Sequence, residues 1–124
     1  MKLAHFSISE FDSPDQKGSG RFMNEDFLRK LDRAREIAGI PFVITSGFRT
    51  PEHQNSLGRN GYAVSKKSAH LKGMAADIAC DFSGDRFKIV SALMAVNLMR
   101  IGIASNFIHV DCDQSKPMQR IWLY

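Results

Sequence analysis

Long apolar runs are missing from this sequence. Its most apolar stretch, IVSALMAVNLM, contains Ser91 and Asn97 and is shorter than the roughly 18 residues of a membrane-spanning helix. The first residues, MKLAHFSISEF, lack the apolar segment of a secretory signal peptide. These absences predict a chain made in the cytoplasm without contact with a membrane. Any export would then need an outside agent such as a lysis system or a virion.

Cysteines are few, and basic residues are not clustered. Cys80 and Cys112 do not have the spacing of a CxxC motif, so we expect two buried thiols and no disulfide. The formal net charge of +4 is a mild excess that favours anionic partners of any kind. No arginine-rich arm and no aromatic–basic repeat is present. We therefore expect no nucleic-acid partner, and an acidic cell-wall polymer would be attracted equally well.

The length favours one independent unit. A chain of 124 residues can bury one hydrophobic core but is too short for two. The hydrophobic fraction of 44% and the charged fraction of 24% are typical of a globular protein. We expect a single domain over residues 1–124, acting as a monomer.

Three segments predict helices. The clearest is NEDFLRKLDRAREIAG, where Asn24 can cap the first turn and Gly39 can end the last one. RTPEHQNSLG predicts a short helix that begins at Pro51. In SGDRFKIVSALMAVNLMR, helical spacing predicts an apolar face made by the following residues: Phe87, Val90, Met94 and Leu98.

Strands are predicted by PFVITSG, by MAADIACDF, by IGIASNFIHVDCD as a hairpin turning at 104–106, and by RIWLY. FSISEFDSPDQKGSG predicts a lead-in arm and a loop, and GRNGYAVSKKSAH predicts a second loop. Within that loop Lys66 and Lys67 are expected to lie in solvent, with contact to an acidic wall polymer as the alternative. The order of elements predicts an α+β fold, with a small antiparallel sheet and helices packed on one side.

SAHLKGMAADI holds two residues of the types that bind metals, His70 and Asp77. The small residues Gly73, Ala75 and Ala76 let a turn and a strand pack closely, so that the imidazole and the carboxylate can converge. A catalytic zinc site needs three protein ligands and one position for water. A third ligand is therefore expected from another part of the chain.

NFIHVDC can supply that ligand. In a strand, side chains alternate, so His109 and Asp111 share one face while Ile108 and Val110 share the other. Imidazole is a commoner zinc ligand than a second carboxylate, which favours His109. In the alternative, Asp111 is the ligand and His109 is a neighbouring polarising group.

These segments resemble the zinc D-alanyl-D-alanine carboxypeptidase family. That family includes the L-alanyl-D-glutamate peptidases of phage endolysins and shares its metal-site plan with hedgehog-type domains. SAHLKGMAADI matches the SxHxxGxAxD signature of the family. ISEF, PFVITSGFRTPEHQN and FIHVD followed by RIWLY lie where small members carry such segments, so the resemblance covers nearly the whole chain. It implies zinc held in a cleft by His70, Asp77 and a third ligand, here His109, and a peptidoglycan peptide as substrate.

Further residues are candidates for roles around the metal. Asp111 is the candidate general base, and its alternative role is to orient the other nitrogen of His109. Arg49 in SGFRT could bind a developing oxyanion or a substrate carboxylate. The resemblance favours this over a surface arginine. Ser68 is a candidate for orienting the metal loop, and Trp122 for lining the cleft or belonging to the core.

The sequence therefore supports two classes of function. In the first, the chain is a zinc metallopeptidase that cleaves peptidoglycan stem peptides, either as a D-Ala-D-Ala carboxypeptidase or as an L,D- or D,D-endopeptidase. In the second, it is a non-catalytic zinc-binding module with a structural or phage-associated role. An open fourth coordination position characterises the enzyme, and a closed one the structural site. Arg49 and Asp111 favour the enzyme because a structural site does not need them.

Overall fold

The computed structural model describes residues 1–62, 65 and 67–124. Lys66, for which a position in solvent was expected, lies outside the described residues. Within them the chain forms α1 (Glu25–Ala38), α2 (Pro51–Arg59) and α3 (Ser83–Ala95), and the strands β1 (Ile44–Ser46), β2 (Ala75–Ala79), β3 (Arg100–Ile103), β4 (Phe107–Asp111) and β5 (Arg120–Leu123). Three short 3-10 helices complete the order: Ile8–Phe11, Ser19–Phe22 and Ala69–Lys72. No helix of the described residues has the length and apolar character needed to cross a membrane.

The five strands form one sheet in the order β1-β2-β4-β3-β5. Neighbouring strands are antiparallel except β3 and β5, which are parallel. The predicted hairpin is present, with β3 and β4 joined by residues 104–106. β5 pairs with the free edge of β3 because both sides of β4 are occupied, by β2 and β3. The α+β class is confirmed, and the parallel pairing of β5 was not predicted.

The two faces of the sheet have different surroundings. One face packs against α1 and α3 and forms the core, with side chains that include Ile78, Ile101, Ile108 and Val110, all fully buried. Because side chains alternate along a strand, the register places the intervening residues together on the other face. Asp77, His109, Gly102 and Trp122 form one row there, from β2 across β4 and β3 to β5. This second face carries the site.

The predicted boundaries of α1 are confirmed. The Asn24 side chain accepts a hydrogen bond from the Phe27 amide at 2.9 Å, and Gly39 ends the helix in the left-handed region with φ 69°. Both are standard ways to satisfy the unpaired backbone groups at helix ends.

The predicted face of α3 was wrong in part. The side chains of Phe87 and Met94 are 74% and 45% exposed, and Leu98 is buried beyond the end of the helix. The helix instead buries Ile89, Ala92 and Leu93. α3 packs against α1, and Ala92 allows a closer approach between the two helices than a larger residue would. This segment contains two overlapping apolar spacings, one through Phe87 and Met94 and one through Ile89, Ala92 and Leu93. Packing against α1 buries the latter set.

The N-terminal segment is more ordered than the predicted arm and loop. Its first turn is the 3-10 helix Ile8–Phe11, not an alternating extended segment. Phe11 is fully buried, and its carbonyl accepts a hydrogen bond from the Phe48 amide at 2.9 Å. A Cβ on Gly47 would lie 2.7 Å from the Phe11 Cα, so only glycine fits there. The segment therefore supports the SGFRT turn from behind.

Candidate metal site and cleft

A cleft of about 750 Å³ opens on the face of the sheet opposite the core. Its floor is the sheet, and its walls are α2, the SGFRT turn, the 3-10 helix Ala69–Lys72 and the aromatic end of β5. The residues proposed from the sequence meet in it: His70, Asp77, His109, Asp111, Arg49, Ser68 and Trp122 all line this cleft.

His70 is fixed by the backbone of the SGFRT turn. Its Nδ1 lies 2.8 Å from the Gly47 carbonyl oxygen. Because a carbonyl oxygen only accepts, Nδ1 carries the hydrogen and Nε2 keeps its lone pair. Nε2 lies 3.3 Å from Asp77 Oδ1. Burial lowers the pKa of His70, and the Asp77 carboxylate only partly offsets this, so the ring is neutral at pH 7, as a metal ligand must be.

Asp77 lies at the centre of the site. Its Oδ1 faces both imidazoles, at 3.3 Å from His70 Nε2 and 2.9 Å from His109 Nδ1. Burial alone raises the pKa of this carboxyl group, but its contacts with the His109 and His70 rings outweigh burial and hold the pKa well below its usual range. Asp77 is therefore a carboxylate at any pH near neutral.

The His70, Asp77 and His109 side chains could hold a metal ion. One donor atom from each lies within 4.8 Å of the other two, and all three residues are buried. Two imidazoles and a carboxylate are a donor set that suits zinc. The hydrogen bond of His70 Nδ1 to a carbonyl, and that of His109 Nε2 to a carboxylate, leave one nitrogen of each ring directed towards Asp77. The residues present thus fit a metal ion of this type.

Both oxygens of Asp111 are engaged. Oδ2 lies 2.7 Å from His109 Nε2, and Oδ1 accepts from Arg100 Nε at 2.7 Å and from the Asp113 amide at 3.1 Å. The residue is 2% exposed. Burial raises the pKa of Asp111, but the hydrogen bonds that it accepts from His109, the Asp113 amide and Arg100 bring the pKa below its ordinary value. Of the two roles left open by the sequence, these contacts favour the orientation of His109.

The Arg49 guanidinium is directed into the site. Its Nε donates to Ser46 Oγ at 2.9 Å, and its terminal nitrogens donate to Gln54 Oε1 at 3.2 Å and to Asp77 Oδ2 at 3.3 Å. Its side chain is 16% exposed, which does not fit a surface arginine. Burial lowers the pKa of Arg49 while Asp77 opposes this, and a guanidinium stays protonated in either case.

Ser68 and Trp122 hold two edges of the site. Ser68 Oγ accepts from the His70 amide at 3.3 Å and so caps the short helix that carries His70. The Trp122 ring lies across Gly102, where a Cβ would be 2.6 Å from its Nε1. The ring centroids of Trp122 and His109 are 5.6 Å apart. Trp122 is therefore a cleft wall and not part of the core.

Two residues of the site were missed in the sequence. Arg100 lies directly opposite Asp111 in the β3–β4 hairpin, and only the exact register of that hairpin, which the sequence leaves open, would have revealed the contact. Gln54 is 4% exposed and links Arg49 to the Ser65 carbonyl, to which its Nε2 donates at 2.8 Å. Its place on α2, close behind Pro51, gave no such signal.

An α+β domain with a buried His/Asp/His cluster in an open cleft, and an arginine beside it, is an arrangement that suits a metal-dependent hydrolase. A sequence model of the peptidase M15 family matches residues 4–111. The chain therefore belongs to the peptidase M15 family, whose members are typically metal-dependent. Membership of this family assigns the chain to the peptidases. The matched range includes every candidate residue except Trp122.

Among solved structures, the chain is similar to the L-Ala D-Glu endopeptidase ChiX of Serratia marcescens. The similarity has a TM-score of 0.55 at 23% sequence identity and covers 62% of this chain and 63% of that chain. At this identity the likeness establishes the fold, and it spans less than two thirds of the other protein. A comparison with curated proteins found no match.

Proposed function

We propose that this protein is a zinc-dependent peptidase that hydrolyses peptide bonds in peptidoglycan stem peptides. The observation that carries the proposal is the buried His70–Asp77–His109 cluster, which lies in an open cleft with Arg49 paired to Asp77. A structural zinc site needs neither a cleft nor a guanidinium next to its ligands.

Zinc would be held by His70 Nε2, an oxygen of Asp77 and His109 Nδ1, the atoms that face each other in the cleft. Bound there, the ion would lower the pKa of a water molecule to about 7 and polarise the scissile carbonyl. Asp77 contributes negative charge to the site, and the neutral ring of His70 contributes a lone pair.

Arg49 supplies fixed positive charge beside the reacting centre. Its guanidinium is positioned by Ser46 and Gln54 before any substrate arrives. Charge that is already oriented stabilises a developing oxyanion without further reorganisation, and removal of one such donor typically costs about 10²- to 10³-fold in kcat. We therefore assign Arg49 to the oxyanion or to a substrate carboxylate.

Peptidoglycan as substrate is supported by the family and by the fold shared with an L-Ala D-Glu endopeptidase. Both carboxypeptidase action on a terminal D-Ala-D-Ala and endopeptidase action on an L,D or D,D bond are compatible with a cleft of this size. We further propose that residues 1–124 act as one monomeric domain, without a nucleic-acid or membrane partner, and meet the wall after lysis or another form of release.

The function is tested by incubating zinc-loaded protein with purified peptidoglycan and measuring newly released amino groups. Analysis of the products by mass spectrometry identifies the bond that is cleaved. Release of amino groups supports the peptidase. Stoichiometric zinc without hydrolysis of any wall preparation would instead support the non-catalytic zinc-binding module.

The role of Asp111 is tested with Asp111→Asn. If Asp111 orients His109, the variant should bind zinc about 10- to 100-fold more weakly and should recover most of its activity at saturating zinc. If Asp111 is the general base, zinc affinity should be unchanged and activity should be lost at every zinc concentration. Exposed Asp81, replaced by Asn, is the matched control.

A further inference from the structure

Arg100 is a buried cation that the reaction itself does not call for. The residue is 9% exposed and lies on the cleft face of β3. Taking a guanidinium out of water is costly unless its charge is paired and its donors are satisfied. Here Nε donates to Asp111 Oδ1 at 2.7 Å, and a terminal nitrogen donates to the Pro117 carbonyl. The guanidinium also lies 5.1 Å from the centre of the Trp122 ring.

Arg100 lies at one end of a continuous chain of polar contacts that reaches Asp77. Arg100 Nε contacts Asp111 Oδ1, and the opposite oxygen of the same carboxylate contacts His109 Nε2 at 2.7 Å. The other nitrogen of that ring, Nδ1, faces Asp77 Oδ1 at 2.9 Å. Arg100 and Asp111 are cross-strand partners in the hairpin, so the backbone fixes their separation.

We propose that Arg100 is a positioning residue for the metal site. It holds the Asp111 carboxylate in the one rotation that presents Oδ2 to His109 Nε2, and thereby keeps the Nδ1 lone pair directed at His70 and Asp77. The guanidinium suits this role because it is planar and is fixed at three points, by Asp111, Pro117 and Trp122. A lysine would supply the charge without the fixed orientation. The inference rests on the metal binding of the proposed function and not on its substrate.

The competing explanation is that Arg100 only anchors the connection between β4 and β5 through Pro117. A structural anchor would affect folding, and any effect on metal binding would not depend on Asp111. A positioning residue acts through Asp111 alone. The two explanations are therefore separated by a double-mutant cycle.

The experiment measures zinc affinity by competition with a chelator for the full chain and for Arg100→Gln, Asp111→Asn and the double variant. Arg120→Gln is the matched control, because Arg120 lies opposite Arg100 in register but is exposed. We expect Arg100→Gln to weaken zinc binding about 10-fold or more and to alter the visible absorption spectrum of the cobalt-substituted protein. In the Asp111→Asn background the same substitution should change affinity less than twofold.

Wild-type zinc affinity in Arg100→Gln, or an equal loss in both backgrounds, would overturn the inference. Far-UV circular dichroism of the metal-free proteins establishes that each variant is folded. If Arg100→Gln does not fold, Arg100→Lys decides, because it keeps the charge: a several-fold loss of affinity supports positioning, and wild-type affinity refutes it. Zinc binding without peptidoglycan hydrolysis by the wild type would contradict the proposed function and leave this inference intact.

Discussion

At the scale of single residues, Gly102 shapes the site because it has no Cβ. Trp122 can lie across residue 102 and beside His109 only because residue 102 has no Cβ. The neighbouring residues on the same face, Asp77 and His109, carry the candidate ligands. A glycine within a strand often marks a close approach of this kind.

We predict that Gly102→Ala displaces the Trp122 ring. The added Cβ would lie 2.6 Å from the indole Nε1 and 2.7 Å from the Tyr124 ring, and overpacking of this type costs about 1–3 kcal/mol. Hydrolysis should fall through a raised KM if the ring forms a substrate wall. The measurements are thermal unfolding and steady-state kinetics.

Gly84→Ala is the control for this prediction. Gly84 lies in α3, and a Cβ added there would meet no described residue outside its own helix within 4 Å. Alanine at this position should therefore be neutral or slightly stabilising. Equal behaviour of the two variants would show that the contact between Gly102 and Trp122 does not shape the cleft.

The site residues differ in how well each could be predicted from the sequence. His70 and Asp77 are visible because a sequence signature holds them seven positions apart, and His109 because alternation in a strand is a local property. The structure brings these three together as expected. The contact of Arg100 with Asp111 depends on the register of a hairpin, which the sequence leaves open by at least one position. A shift of one residue would have placed Arg100 on the other face.

At the scale of elements, the connection between β4 and β5 is held by one buried carboxylate. Asp113 is 2% exposed and accepts hydrogen bonds from Lys72 Nζ at 3.1 Å and Lys116 Nζ at 2.6 Å. Lys72 belongs to the 3-10 helix that carries His70, and Lys116 lines the cleft. The carboxylate therefore joins two walls of the cleft.

We predict that Asp113→Asn destabilises the protein by about 1–3 kcal/mol at pH 7, because charge-assisted hydrogen bonds are lost at a buried position. Burial raises the pKa of Asp113, but hydrogen bonds with Lys116, Ser115 and Lys72 outweigh it and hold the pKa well below its usual range. The stabilisation is therefore fully present above the unfolded pKa of about 4 and is lost as the pH falls below that value.

Chemical denaturation of the metal-free wild type and Asp113→Asn at pH values of about 7, 4 and 2.5, on both sides of the unfolded pKa, tests this prediction. The difference in free energy of unfolding should shrink as the pH is lowered. A constant difference over this range would mean that the charge of Asp113 does not contribute. Asp81→Asn provides the exposed control.

Elements were predicted best where the signal was local. The caps of α1 are confirmed at both ends, and α2 begins at Pro51 with its N-cap one residue earlier. The buried face of α3 was predicted only in part, because two apolar spacings overlap in that segment and only its packing against α1 selects between them. The parallel pairing of β5 likewise depends on which sheet edge is free, a property of the assembled sheet.

At the scale of the whole molecule, the candidate ligands come from separate parts of the fold. His70 lies in a short helix, Asp77 in β2 and His109 in β4, and the N-terminal segment supports the turn that holds His70. An unfolded chain would not bring these residues together. Zinc that binds only the folded state must stabilise it by mass action.

We therefore predict that zinc raises the thermal unfolding midpoint. At a free concentration about 100-fold above the dissociation constant, the gain is about 2.7 kcal/mol, and a chelator should reverse it. Asp77→Asn should show no zinc-dependent shift, because it removes the central carboxylate. A midpoint that does not respond to zinc in the wild type would contradict a site at His70, Asp77 and His109.

The most direct test of the central claim is hydrolysis of purified peptidoglycan by one preparation that is chelated and then reloaded with one equivalent of zinc. We predict no release of amino groups after chelation and restored release after reloading. Arg49→Lys should bind zinc normally and release amino groups about 10²-fold more slowly. Hydrolysis that survives complete removal of the metal would contradict a zinc-dependent peptidase.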